Sequence, residues 1–131
     1  MEEILAFLKE NRPYYLATID GYQARVRPIG TSNLFENKLY FQTSRDKDMY
    51  KQLKASPRVE ICAYDGNRWL RIAAHAHEDD RVEALEALLE NYPRLRERYL
   101  SGDDTVTTFY LDIDSAYFDS NSSEPKVVLI P

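Results

Sequence analysis

Glycine is scarce in this chain, four in 131 residues, and no two of them are spaced as in Gly-x-Gly-x-x-Gly or a Walker loop. Rossmann and P-loop nucleotide sites, which use such glycines to bring backbone amides against phosphate, are excluded. The Gly-x-Ser-x-Gly elbow of serine hydrolases is missing too. Cysteine occurs once, as Cys62 within an apolar run, so there is no internal disulfide and no thiol in surroundings that favour a nucleophile. That usage fits a reducing compartment, and a cytoplasmic protein is expected. No apolar run approaches the roughly 20 residues of a membrane-spanning helix, and the acidic, amphipathic opening from Met1 to Glu10 is unlike a secretory signal. Basic charge is also in short supply. With 17 Lys and Arg against 22 Asp and Glu, the net charge of −5 argues against nucleic acid as a general partner.

What is present is an ordinary folded composition, 44% apolar and 30% charged, sized for one domain over residues 1–131. Ten tyrosines suggest a stacking surface or a partner interface. Residues 2–11 predict an amphipathic helix closed by Pro13. Tyr14 to Ile19 and Gln23 to Ile29 read as a hairpin across Asp20-Gly21, and Val59 to Tyr64 and Arg68 to His77 as another across Asp65-Gly66-Asn67. Leu39 to Gln42 reads as a strand leading into a helix that ends near Ser56, before Pro57. A further helix is expected over about Asp79 to Asn91, with Val82, Leu85, Leu88 and Leu89 as its apolar stripe, then a short helical turn from Pro93 to Leu100. Thr105 to Ile113 and Ala116 to Phe118 read as two strands, and Val127 to Ile130 as an edge strand or a tail docked on a partner. Six or seven short antiparallel strands with two or three helices predict a small barrel rather than a parallel sheet.

Two stretches carry chemistry. In the first, Thr43 or Ser44 is placed as the N-cap of the helix before Ser56. With Ser44 as cap, Lys47 falls in the first turn, where a cation opposes the helix dipole. Either an anion occupies that helix end, with backbone N–H groups, hydroxyls and Lys47 around it, or Lys47 is solvated and offset by Asp46 and Asp48. In the second, Arg25 and Arg27 share one strand face and can address one phosphate, although exposed barrel faces carry such pairs without function. Pro28 beside them cannot donate to a sheet ladder, and Gly30 lets a flat ligand approach the backbone. His75 and His77 also share a face, but two His without a third ligand make a weak metal pattern, and no metal is assigned. Trp69 reads as core, interface or a stacking residue. No general acid or base is assigned.

The order of these pieces, Arg25-Val-Arg-Pro-Ile-Gly30, Leu39-Tyr-Phe-Gln-Thr-Ser44, Lys47, Ser56-Pro-Arg-Val-Glu-Ile61, Trp69-Leu-Arg-Ile72 and Asp79-Asp80-Arg81, resembles the pyridoxamine 5′-phosphate oxidase-like FMN-binding split-barrel family, in particular its short, nitroimidazole-resistance-like members. The resemblance implies a mainly β fold with flanking helices, a six-stranded antiparallel split β-barrel, and a homodimer with FMN at the subunit interface. It also implies that Arg27 and Lys47 hold the FMN phosphate with help from Thr43 and Ser44, that Arg27, Pro28, Ile29 and Gly30 run beside the isoalloxazine ring, and that Trp69 contacts flavin from the second subunit. Family oxidases carry a second cation directly before the Lys, where this chain has Asp46. The function implied is an FMN-dependent oxidoreductase acting on a small molecule. The alternatives are a flavin- or haem-binding sensor or storage protein without turnover, and a barrel that serves only as an interaction module.

Overall fold

The computed structural model describes Met1–Pro131. In chain order the elements are α1 (Glu2–Glu10), β1 (Tyr14–Asp20), β2 (Gln23–Ile29), β3 (Asn33–Phe35), β4 (Lys38–Ser44), α2 (Asp48–Ala55), β5 (Arg58–Tyr64), β6 (Arg68–Asp79), α3 (Val82–Leu89), α4 (Pro93–Leu100), β7 (Val106–Ser120) and β8 (Lys126–Val127). Neighbouring strands pair antiparallel in the order β2-β1-β5-β6-β7-β4-β3, with β8 added to β7. The fold is a mainly β split barrel with four flanking helices. It has six long strands, and of the two short ones β3 is additional whereas β8 overlaps the edge strand expected over Val127 to Ile130.

Alternation along the strands builds two apolar layers. Leu16, Phe41, Ile61, Leu70, Ile72 and Phe109 point into the barrel, where Ile4, Phe7 and Leu8 of α1 and Met49 and Leu53 of α2 complete the core. Tyr40 points the other way and joins Val106 beneath Ala84, Leu85, Leu88 and Leu89 of α3. Burying each large side chain of this kind contributes about 1.5–3 kcal/mol. Gly21, at φ +60°, turns the β1–β2 hairpin in the left-handed region that glycine tolerates best. β2 is the terminal strand of the sheet, which Pro28 requires of it.

Several local expectations change. The two strands expected over Thr105–Phe118 are one, β7, interrupted by a bulge where Ala73 faces Ser115 and Ala74 faces Ile113, leaving Asp114 unmatched. The N-cap of α2 is Lys47, not Thr43 or Ser44. Those two residues are buried in β4, opposite Thr107 and Val106, and the sheet pairing outweighs their capping tendency. Helix α3 starts at Val82 rather than near Asp79, because Asp79 still pairs with Thr108 in the sheet. Val82 itself is exposed and is not part of the apolar stripe. The C-terminal segment docks on its own chain: β8 pairs with β7, the Val128 amide donates to the Ala116 carbonyl at 2.9 Å, and Lys126 reaches Glu3. No helix is long and apolar enough to cross a membrane.

Candidate functional site

The end of β2, the end of β4 and the start of α2 enclose a cleft of about 670 Å³. Arg27, Pro28, Ile29 and Gly30 form one wall, Gln42 and Thr43 the floor, and Asp46 to Met49 the other wall. The two stretches singled out in the sequence therefore meet at one place. A Cβ built on Gly30 would meet no heavy atom within 4 Å, so the backbone there borders open space. At the helix end, the Asp48 and Met49 amides find no acceptor within the chain, as the first turn of a helix dictates.

Charge is the informative property of this cleft. The chain makes ten ion pairs, and neither Arg27 nor Lys47 takes part in any of them. Asp46 and Asp48 flank Lys47 in sequence and border the same cleft, yet neither comes within ion-pairing distance of it. Arg27 is half-buried and donates from Nη1 to Thr18 Oγ1 at 2.8 Å and to the Leu16 carbonyl at 3.3 Å, and from Nη2 to Gln52 Oε1 at 2.5 Å. All three acceptors are neutral. Burial, and secondarily the Arg25 guanidinium, hold the pKa of Arg27 below its ordinary value. Both effects disfavour the cation, and no carboxylate offsets them. Gln52 also accepts from Thr18 at 2.5 Å, so Arg27 joins β1, β2 and α2 and fixes the helix end beside the strand.

Of the other residues singled out, Ser44 is buried and does not line the cleft, and Arg25 turns away to pair with Asp20 at 3.1 Å. Arg45, the cation directly before Asp46, is engaged by Glu78, the Asp104 carbonyl and Thr107. Trp69 lies on β6 opposite Tyr64, outside the cleft. Successive cross-strand pairs put Trp69, Tyr64, Tyr15, Pro28 and Val26 on the outer face of the sheet, where Tyr15, Tyr64 and Val26 are exposed. His75 pairs with Asp114 at 3.0 Å and His77 packs on Tyr110, and no three His, Cys, Asp or Glu residues are grouped to hold a metal. Sequence reasoning missed Thr18 and Gln52. The signal for Gln52 was its place between Met49 and Leu53 on the buried face of α2.

Neutral acceptors around a half-buried guanidinium, an unpaired ammonium and free helix amides fit a phosphate monoester, which accepts bonds from all three donor types. Residues 1–120 match the sequence family described as pyridoxamine 5′-phosphate oxidase. The chain belongs to that family. Among solved structures it is similar to a NimC/NimA family protein from Clostridium acetobutylicum, with 34% identity, 97% of this chain and 90% of that one covered, and a TM-score of 0.90. At fold level alone, this family member is similar to general stress protein 26 from Bacillus anthracis, with 14% identity, 97% of each chain covered and a TM-score of 0.73. It is likewise similar to a haem-binding protein from Mycobacterium smegmatis, with 13% identity, 93% of this chain and 55% of that one covered, and a TM-score of 0.71. No curated protein matches the chain significantly.

Proposed function

We propose that this member of the family binds FMN in the β2–β4–α2 cleft and is a cytoplasmic oxidoreductase acting on a small molecule. Lys47, Arg27 and the first-turn amides of α2 would hold the 5′-phosphate, with Thr43 beside them, and the backbone from Pro28 to Gly30 would border the ring. Bound flavin supplies hydride or electron transfer. The chain's own residues bind the phosphate, orient the ring and set the polarity around it. The observation that carries this reading is the pair of cations without a carboxylate partner on one cleft, in a chain of net charge −5.

The same reading includes a homodimer with FMN at the subunit interface. Support comes from the outer sheet face, where exposed Tyr15, Val26 and Tyr64 adjoin Pro28 at the cleft. Trp69, on that face, would then reach the cofactor of the opposite subunit. Sedimentation of the flavin-loaded protein at micromolar concentration is expected to give a dimer, and a monomer with flavin bound would contradict a shared site.

A second reading is a flavin- or haem-binding sensor or storage protein without turnover. The haem-binding neighbour and the unassigned His75 and His77 favour keeping it. One experiment separates the two: the absorption spectrum of the purified protein, followed by anaerobic addition of NADH and NADPH. A flavin band that bleaches supports the oxidoreductase. A flavin band that no donor bleaches supports a carrier, a Soret band supports haem, and a colourless protein that rejects added FMN overturns the cofactor assignment.

A further inference from the structure

A second cavity, of about 770 Å³, adjoins the first and shares Thr31 and Gln42 with it. Its remaining wall comes from Arg12 and from the α3–α4 junction, including Tyr92, Arg94 and Arg98. No acidic residue lines it, although acids outnumber bases in the chain. Arg98 is paired with Asp103 at 2.8 Å, whereas Arg12 and Arg94 have neither an ion pair nor a side-chain hydrogen bond. Side-chain bonds far apart in sequence hold the wall in place. The Tyr92 hydroxyl accepts from the Ser32 amide at 2.8 Å and lies 3.1 Å from the Ser32 carbonyl. Asn91 donates to Asn33 at 3.1 Å, and the Tyr14 hydroxyl donates to the Thr31 carbonyl at 2.6 Å.

We infer that this cavity is the subsite for the flavin's reaction partner, and that it takes a molecule carrying an oxyanion, which Arg12 and Arg94 bind. The inference rests on the cofactor reading above, since it is the shared wall of Thr31 and Gln42 that gives such a molecule access to the bordering ring. Guanidinium groups bind carboxylate and phosphate alike through paired N–H donors. The oxyanion can therefore be the phosphates of a nicotinamide nucleotide that delivers electrons or the carboxylate of an aromatic acid. The uncharged amide of the same acid lacks the group that the two arginines address.

The test is calorimetric titration of the FMN-loaded protein with NADH, benzoate and benzamide, repeated on Arg94→Ala and on Arg12→Ala/Arg94→Ala. At least one of the two anions is expected to bind while benzamide does not, and the double variant should lose about tenfold or more in affinity for it. Loss confined to NADH identifies the phosphate source, and loss confined to benzoate the carboxylate source. FMN affinity, measured separately, should stay within about twofold of the parent protein, because neither arginine lines the phosphate cleft. Binding of neither anion to a protein that holds FMN, or unchanged anion affinity in the double variant, overturns the inference. If FMN itself fails to bind, the cofactor reading falls, and the same titrations on the flavin-free protein still decide whether the arginines bind an oxyanion.

Discussion

Arg81 and Arg27 lie on the same molecule in opposite electrostatic situations. Arg81 is clasped by Asp79 at 2.9 Å and Glu36 at 2.6 Å, and Asp79 in turn accepts from the buried Tyr40 hydroxyl at 2.8 Å. Every charge in that cluster has a partner. The Arg81 bonds, helped by Tyr40 and opposed by burial, bring the Asp79 pKa down to about 2. Arg27, by contrast, bonds only neutral atoms, and burial works against its charge. Lys47 beside it makes no ion pair at all. A closed network of charges ties β4, β6 and the start of α3 together and has no further demand to meet. The open one leaves two cations without a counter-charge, and on the proposed reading that is where the cofactor phosphate binds.

The largest effect should follow from emptying the open region. Lys47→Ala is expected to weaken FMN binding by about 1.5–3 kcal/mol through loss of a charge-assisted contact, measured by fluorescence titration of the flavin-free protein. Its urea midpoint should stay where it was, because the Lys47 side chain makes no ion pair or hydrogen bond to lose and its backbone bonds remain. Arg27→Met should weaken FMN binding comparably. Its flavin-free fold should change by no more than about 1 kcal/mol, since Gln52 keeps its bond from Thr18 and an isolated half-buried charge is removed.

The closed region should respond the other way. Asp79→Asn is expected to cost about 1–2 kcal/mol of stability, read from urea unfolding, with FMN affinity unchanged. The cost is no larger because Arg81 is half exposed, and solvent screens its pairing with Asp79. A variant at Asp79 that instead lost flavin and kept its stability would erase the distinction between the two clusters.

Acid provides a smaller and graded test. The folded pKa of Asp79 lies below its unfolded value of 3.8, so its contribution is complete above about pH 4 and declines as pH falls toward about 2. Glu78 acts in the same direction. Burial raises its pKa, but bonds from Thr107, Tyr50, Lys54 and Arg45 outweigh burial and bring it below the ordinary value. Stability in urea should fall on acidification over this range, and Asp79→Asn should flatten the fall. A slope identical in the two proteins would remove Asp79 from the account.

Local chemistry made much of the fold legible. Asp20-Gly21 and Asp65-Gly66 announced their hairpins because turn geometry is set by residues adjacent in sequence. The capping of α2 was misplaced because it depends on β7. Pairing with Thr107 and Val106 holds Thr43 and Ser44 in the strand, and nothing within residues 39–53 encodes that partner. The bulge at Asp114 was likewise hidden, since it exists only in register with β6. At the cleft, residue type and neighbours raised Lys47 and the pair Arg25 and Arg27 as candidates beside plainer readings, and the family resemblance chose Arg27 and Lys47. What could not be read was that Thr18 and Gln52 would surround Arg27, because those contacts bring together residues from three elements, nor which of the two arginines Asp20 would pair across the hairpin.

The central claim is that an open pair of cations is there for a phosphate. The most direct measurement compares the affinities of the flavin-free protein for FMN and for riboflavin, which differ only in that group. FMN is expected to bind about a hundredfold more tightly, with most of the difference lost in Lys47→Ala. Equal affinities for the two flavins would contradict the claim.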